Sequence, residues 1–295
     1  DFDLYPGEVV GLVGESGSGK SITAFSLMGL LPHGANLDGG SIVFDGQELS
    51  ALQPAERRNL CGLKMGMVFQ EPLTALNPVI KIGEQIAEIF RYRQKLSSKQ
   101  AWDLAVKLLA QVGLPNPRQA AESYPHRFSG GMRQRVVISM ALALNPKLVI
   151  ADEPTTALDP TIASQIVRLL KTMAQERKSA VLFITHNLRL LTNLAERLLV
   201  MYAGYIVEQR SGDFSKPLHP YTIGLMKALP PAPSQQVHQH LEPIPGQPPS
   251  PSDEFQGCPF HPRCQVSIDD CDKIFPALTP QSGGDMVRCH RYAKC

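Results

Sequence analysis

Eight consecutive residues, Gly14-Glu15-Ser16-Gly17-Ser18-Gly19-Lys20-Ser21, match G-x-x-x-x-G-K-[ST] at every fixed position. Glycines let backbone N–H groups turn inward around a phosphate chain, and a following helix adds the partial positive charge of its N-terminus. Lys20 is placed to reach the outer phosphates and the Ser21 hydroxyl to ligate Mg²⁺. The alternative is a Gly/Ser-rich turn that carries a lysine. The context favours the phosphate reading, because an apolar run, Glu8–Val13, precedes the loop and a helical pattern from Ser21 to Leu30 follows it.

A second constellation is Leu148-Val149-Ile150-Ala151-Asp152-Glu153, an apolar strand ending in two carboxylates. A buried parallel strand delivers Asp152 to the carboxyl edge of a sheet, where open α/β sheets bind ligands. One carboxylate there can support Mg²⁺ through its waters, and Glu153 can polarise an attacking water. Alone, the pair would more often be a solvated edge or a helix cap. A third segment, Phe128-Ser129-Gly130-Gly131-Met132-Arg133-Gln134-Arg135, places a serine and two glycines before a helix with apolar Val136, Met140 and Leu144. It reads as another anion-facing helix N-terminus, or as an ordinary glycine-rich cap. One nucleotide does not need two such sites within a chain, so a dimer with shared sites is expected.

The elements that must position these residues alternate. Short apolar runs at Glu8–Val13, Lys64–Phe69, Lys147–Ala151, Ala180–Thr185 and Arg197–Tyr202 predict a mostly parallel sheet with covering helices. Ser41–Phe44 before Asp45-Gly46, and Tyr205–Glu208 after Ala203-Gly204, predict antiparallel additions with tight turns. Residues 82–144 change to a helical period. There Ser97 and Gln100 form a capping box ahead of Ala101, Ala105, Leu108, Leu109 and Val112, and Gly113 closes the helix. The expected division is an α/β domain over 1–209 with a helical block at about 82–144, an extension and Pro-rich connector over 210–256, and a Cys-rich tail over 257–295. Residues 230–256 hold eight of the 25 prolines, which predicts an extended connector.

Composition excludes several classes. Net charge is +2 and no basic run occurs, so no nucleic-acid footprint is present. The longest apolar stretch, Val136–Leu144, is nine residues with a serine inside it, against about 20 needed to span a bilayer. Asp1 falls where a strand is about to begin, and the expectation is a chain lacking its true start. Six cysteines without a secretory signal argue for a reducing compartment. Four of them recur in the tail: Cys258 and Cys264 are separated by five residues, Cys271 follows after six, and Cys289 after seventeen. Four thiolates suit zinc or an iron–sulfur cluster, although the close Cys-x-x-Cys knuckles of zinc ribbons are absent. His261 and His290 are near enough in sequence to substitute, while Cys61 and Cys295 fit no pattern.

Ser129-Gly130-Gly131 resembles the signature motif of ATP-binding-cassette (ABC) proteins, with Phe128 in the usual leucine position and Met132 in the usual glutamine position. Gln70 resembles the Q-loop glutamine, Ala157-Leu158-Asp159 the D-loop, and His186 the switch histidine; Asn187 stands where an aspartate is common. The resemblance implies a P-loop ATPase in which Gln70 senses the γ-phosphate, joins Ser21 and Asp152 around Mg²⁺ and contacts a membrane subunit, and His186 stabilises transition-state charge. Phe69-Gln70-Glu71-Pro72-Leu73-Thr74-Ala75-Leu76-Asn77-Pro78, Tyr124-Pro125-His126, Met201-Tyr202-Ala203-Gly204 and His219-Pro220-Tyr221-Thr222 are similar to importer ATPases for oligopeptides, dipeptides and nickel. The implied function is ATP-driven uptake of peptides, with nickel or another small solute as the alternative. Soluble cassette proteins of DNA repair carry long coiled-coil or zinc insertions that the short block at 82–144 lacks. The implied partners are a second ATPase subunit, identical or homologous, two integral membrane permease subunits and an extracytoplasmic solute-binding protein. The implied place is peripheral, at the cytoplasmic face of a bacterial inner membrane. The tail resembles the C-terminal cysteine motif of such ATPases, which implies a [4Fe–4S] cluster on Cys258, Cys264, Cys271 and Cys289, with zinc, or unligated thiols or disulfides, as alternatives. The family's adenine-stacking aromatic lies upstream of the phosphate loop, and Tyr5 is too near to serve, so weak ATP binding is expected.

Overall fold

The computed structural model describes residues 1–156, 158–192, 194–229, 242–250 and 252–292. Ala157 of the expected D-loop, Cys295, and residues 230–241 and 251 of the expected connector lie outside the described residues. The connector's described part, 242–250 and 252–256, contains no helix or strand.

In chain order the strands are β1 (Val9–Val13), β2 (Val43–Phe44), β3 (Gln47–Glu48), β4 (Met65–Val68) and β5 (Leu148–Asp152). They continue with β6 (Ala180–Thr185), β7 (Arg197–Tyr202), β8 (Tyr205–Ser211), β9 (Thr279–Pro280) and β10 (Met286–Val287). The chain forms two compact units, one of Asp3–Val9 and Ser21–Ile184, the other of Asp1–Phe2, Val10–Lys20 and Thr185–Cys295.

In the first unit β4, β5 and β6 are parallel, with Met65 opposite Leu148 and Leu148 opposite Ala180. Every residue of these three strands is buried, as expected for strands covered on both faces. Glu8 extends the pairing by accepting from the Val181 N–H at 2.8 Å. The helical block comprises Ile82–Gln94, Ser98–Gln111, Pro117–Ala121 and Gly130–Ala141, with a 3₁₀ turn at Pro125–Arg127. Ser97 and Gln100 make the expected capping box, and Ala101, Ala105, Leu108, Leu109 and Val112 are all buried. Gly113 follows with φ +72°.

Two expectations shift. Ser41–Phe44 pairs only at Val43–Phe44, with β3, across Asp45-Gly46; both turn residues have positive φ, +54° and +77°, which matches the right-handed twist of a short hairpin. The helix after Ser129 ends at Ala141, so Leu144 is not on its face. Its buried side chains are Gln134, Val136, Val137, Ile138 and Ser139, a band wider than a one-sided stripe.

In the second unit β1 pairs in parallel with β7, Val10 opposite Arg197. β7 and β8 form an antiparallel hairpin across Ala203 (φ +49°) and Gly204 (φ +83°). β8 runs to Ser211, three residues beyond the sequence expectation. The reason lies in the tail: β10 pairs with Glu208 and Gln209 of β8, and β9 pairs with β10. The Cys-rich tail thus contributes strands to a sheet, which no periodicity in its sequence announces.

Gly66 in β4 shows how tightly a helix covers this sheet. A Cβ there would lie 2.4 Å from the Ala141 carbonyl oxygen. Backbone cannot move aside as a flexible side chain can, so Gly66→Ala is expected to destabilise the protein by about 1–3 kcal/mol. A urea-denaturation midpoint unchanged from wild type would contradict this packing.

Candidate functional site

The phosphate loop leaves β1 and leans on the hairpin beside it. A Cβ on Gly14 would sit 2.2 Å from the Met201 carbonyl oxygen and 2.7 Å from Ser18 Oγ, so only glycine lets the loop approach β7. Gly17 and Gly19 have φ of +80° and +103°, backbone that side chains strain. The Gly204 N–H donates to the Ser18 carbonyl at 2.9 Å. Lys20 is buried, and its Nζ donates to the carbonyls of Gly14 (2.9 Å) and Glu15 (2.8 Å) and to Ser18 Oγ (3.4 Å). The ammonium is therefore held inside the loop that a phosphate would fill. Ser16 and Gly17 at the tip are exposed, and Ser21 lies in the first turn of the helix Lys20–Met28.

In the other unit Asp152 ends β5 and is buried. Glu153 follows with φ +49°, uncommon for a non-glycine, and its N–H donates to the Ile184 carbonyl at 2.9 Å. That bond turns the side chain off the strand, where Thr156 Oγ1 donates to Glu153 Oε2 at 2.8 Å. Gln70 is exposed two residues past β4, at the same carboxyl edge, since β4 and β5 are parallel neighbours. β6 reaches that edge at Ile184, opposite Asp152, two residues before the exposed His186. Asn187 Oδ1 accepts from the Arg189 N–H at 3.2 Å, capping the helix Leu188–Thr192 as an aspartate would.

Ser129 is an exposed N-cap whose Oγ accepts from the Met132 N–H at 3.4 Å. Gly131 is required by packing: a Cβ there would meet Ile162 Cγ2 at 2.6 Å. Ile162 belongs to the helix Pro160–Arg177, which Asp159 caps by accepting from the Ile162 N–H at 3.1 Å. The signature residues and Asp159 are thereby joined through one helix contact. Sequence reasoning missed Gln85, buried in the helical block. It brackets the segment after Gln70, accepting from the Asn77 N–H and donating to the carbonyls of Asn77 and Ile80 at 2.8–2.9 Å.

The four tail cysteines line a single cavity, together with His219, Phe260, His261 and His290. All four are free thiols, and burial pushes Cys258 up to about 11. Among the described residues no group of three or more His, Cys, Asp or Glu side chains is arranged to hold a metal ion. His290 Nε2 is engaged with the Ile274 carbonyl at 2.8 Å. Cys61 stands apart, its Sγ donating to the Met28 carbonyl at 3.2 Å. Two further residues escaped sequence reasoning. Arg263 forms a two-point ion pair with Glu15 of the phosphate loop, and Tyr221 Oη accepts from the Glu15 N–H. The only signals were an arginine inside the Cys258–Cys264 spacer and a tyrosine in His219-Pro220-Tyr221-Thr222.

A family model described as ABC transporter matches residues 1–156, and one described as oligopeptide/dipeptide transporter, C-terminal region, matches residues 209–271. The oligopeptide transport ATP-binding protein AppD of Bacillus subtilis (strain 168) is 45% identical, over 99% of this chain and 89% of its own. The dipeptide transport ATP-binding protein DppD of Escherichia coli (strain K12) is 43% identical, over 98% and 88%. Among solved structures, a dimeric post-hydrolysis state of the ATP-binding cassette MJ0796 bound to ADP and Pi superposes with a TM-score of 0.64 and 28% identity, covering 72% of this chain and 88% of that one.

His219 caps the helix Pro220–Lys227, its Nδ1 accepting from the Tyr221 N–H at 3.1 Å, and its ring centroid lies 5.8 Å from that of Phe260. Burial lowers its pKa from 6.5 to about 4, with a backbone bond at Arg288 opposing less strongly. The unfolded chain therefore takes up the proton first, and stability falls as pH drops from about 6.5 toward about 4. Between pH 7 and pH 5 wild type is expected to lose about 2 kcal/mol more than His219→Asn, which keeps a capping side chain. Urea titrations at the two pH values measure this, and equal losses would remove His219 from the account.

Proposed function

The chain belongs to the ABC transporter family, with the oligopeptide and dipeptide transport ATP-binding proteins, and on that premise we propose that it drives peptide import by hydrolysing ATP to ADP and phosphate. The observation that carries this is the intact Gly14–Ser21 loop with Lys20 turned into it, in a chain alike to those relatives over nearly its whole length. Among the described residues no helix is long and apolar enough to cross a membrane, so translocation falls to other chains. Those are two permease subunits, fed by an extracytoplasmic solute-binding protein, with this chain peripheral on the cytoplasmic side.

The phosphates of ATP replace the loop carbonyls as partners of Lys20 Nζ, and N–H groups of the Gly14–Ser21 loop surround them, apart from those of Glu15 and Ser18, which bond to Tyr221 Oη and the Glu15 carbonyl. Ser21, Asp152 and Gln70 would hold Mg²⁺, which would neutralise charge on the phosphate oxygens. Glu153 takes the proton of the attacking water and His186 contacts the γ-phosphate. The left-handed backbone and the Thr156 hydroxyl support this role, since they hold the Glu153 carboxylate off the strand end. Ser129, Gly130, Gly131 and Asp159 complete the site of a second cassette subunit. Functionally, residues 1–209 form the ATPase domain, 210–256 an extension with the Pro-rich connector and 257–295 the tail.

Glu153→Gln is expected to keep ATP binding while turnover falls by at least about 100-fold, as the water loses its base. Equilibrium nucleotide binding and steady-state hydrolysis check it, and full turnover would overturn the role. For the tail, a [4Fe–4S] cluster on Cys258, Cys264, Cys271 and Cys289 is supported by the gathering of four free thiols around one cavity. The four thiols would hold the cluster, and the cross-links it would supply would brace the tail. Protein purified without oxygen is expected to contain iron and acid-labile sulfide. One equivalent of zinc with no sulfide would decide against it.

A further inference from the structure

Glu15 puts a carboxylate one residue into a loop built to bind polyanions, and the charge is adverse there unless something cancels it. Arg263 does so from the tail. Its Nη1 donates to Glu15 Oε2 at 2.7 Å and its Nη2 to Glu15 Oε1 at 3.1 Å, a forked pair. The Arg263 side chain is 4% exposed and that of Glu15 27%, so solvent screens the pair only partly. The guanidinium is itself held: its Nε donates to the Pro245 carbonyl at 2.9 Å, and its Cζ lies 5.8 Å and 5.9 Å from the ring centroids of Tyr202 and Phe260. Tyr221 grips the same loop residue through the backbone, its Oη accepting from the Glu15 N–H at 2.8 Å.

These holds share one aromatic cluster. Tyr202, Tyr221 and Phe260 have ring centroids 4.6–5.5 Å apart. Phe260 lines the cysteine cavity, and Arg263 lies in the turn His261–Arg263 between Cys258 and Cys264. The side chain and the backbone N–H of one phosphate-loop residue are thus both set by residues more than 200 positions later.

We propose that Arg263 is a positioning residue for nucleotide binding, which neutralises and fixes Glu15 so that the phosphate loop accepts an anion, making ATP affinity depend on the docking of the Cys-rich tail. The inference rests on the reading of Gly14–Ser21 as the ATP site. Its test is MgADP binding by calorimetry, and KM and kcat for ATP, on the full chain with its transport partners. Arg263→Gln is expected to raise Kd and KM about tenfold with kcat within about twofold, because it leaves a bare carboxylate beside the phosphates. Adding Glu15→Gln to that variant removes the bare charge and is expected to recover at least about threefold in Kd. A purely structural role predicts the opposite, a double variant weaker than either single one. Wild-type Kd in Arg263→Gln, or a double variant weaker than Arg263→Gln, overturns the proposal.

Should Arg263→Gln not fold, Tyr221→Phe removes one hydroxyl and is expected to raise Kd about threefold; an unchanged Kd there counts equally against the tail's hold. A wild-type protein that neither binds MgADP nor hydrolyses ATP would refute the ATP reading itself. A competent wild type with indifferent variants refutes only the inference.

Discussion

The close approach of the phosphate loop to the backbone of β7 is the constraint on which the rest depends. Gly14 lies against the Met201 carbonyl with no room for a Cβ, and the Gly204 N–H holds Ser18 from the turn of the β7–β8 hairpin. A loop that must present N–H groups to an anion can spend few of them on its own folding; here the Ser18 N–H donates to the Glu15 carbonyl at 3.2 Å. It needs external support, and it has that support in a neighbouring strand pair whose turn residues, Ala203 and Gly204, adopt positive φ to form it. β8 then carries the tail: β10 pairs along it, and buried Glu208 accepts from the N–H groups of Leu218 and His219 at 2.8 Å. The tail's strands and the phosphate loop are both organised by one hairpin.

The same economy governs the first unit. β5 ends in Asp152 and Glu153, and β4 and β6 run parallel to it on either side, so Gln70 and the chain before His186 leave the sheet at the same edge. Parallel pairing is what makes distant motifs neighbours here. On the helical side, Gly131 admits Ile162 to close contact, and Asp159 caps the helix that bears Ile162. These residues hold packing roles that can be stated without any ligand.

Much of the fold was legible because its signals are local. A capping box at Ser97, the buried spacing from Ala101 to Val112, and Asp-Gly and Ala-Gly turns all act within a few residues. The misreadings share a cause. Leu144 continued an apolar spacing past the real helix end at Ala141, and Asn145 after it has positive φ. Ser41–Phe44 paired as strand over two residues and not four, opposite Gln47 and Glu48, with one further bond from the Leu49 N–H to the Ile42 carbonyl. The tail strands, without alternation of their own, exist because β8 supplies an edge.

By itself the sequence marked the candidate residues: a G-x-x-x-x-G-K-[ST] loop complete from Gly14 to Ser21, two carboxylates closing a strand, and a serine and glycine pair opening a helix. Those signals are short-range, set by residue type and spacing, and survive without knowledge of contacts. Only the tertiary structure decided that four cysteines scattered over 32 residues face one cavity, and that Arg263 and Tyr221 grip Glu15. Pairings of that kind span more than 200 positions, and the side chains carry no mark of their partners. The reason is physical: a guanidinium or a phenol is suited to many neighbours, and only the packing of the hairpin and the tail selects one.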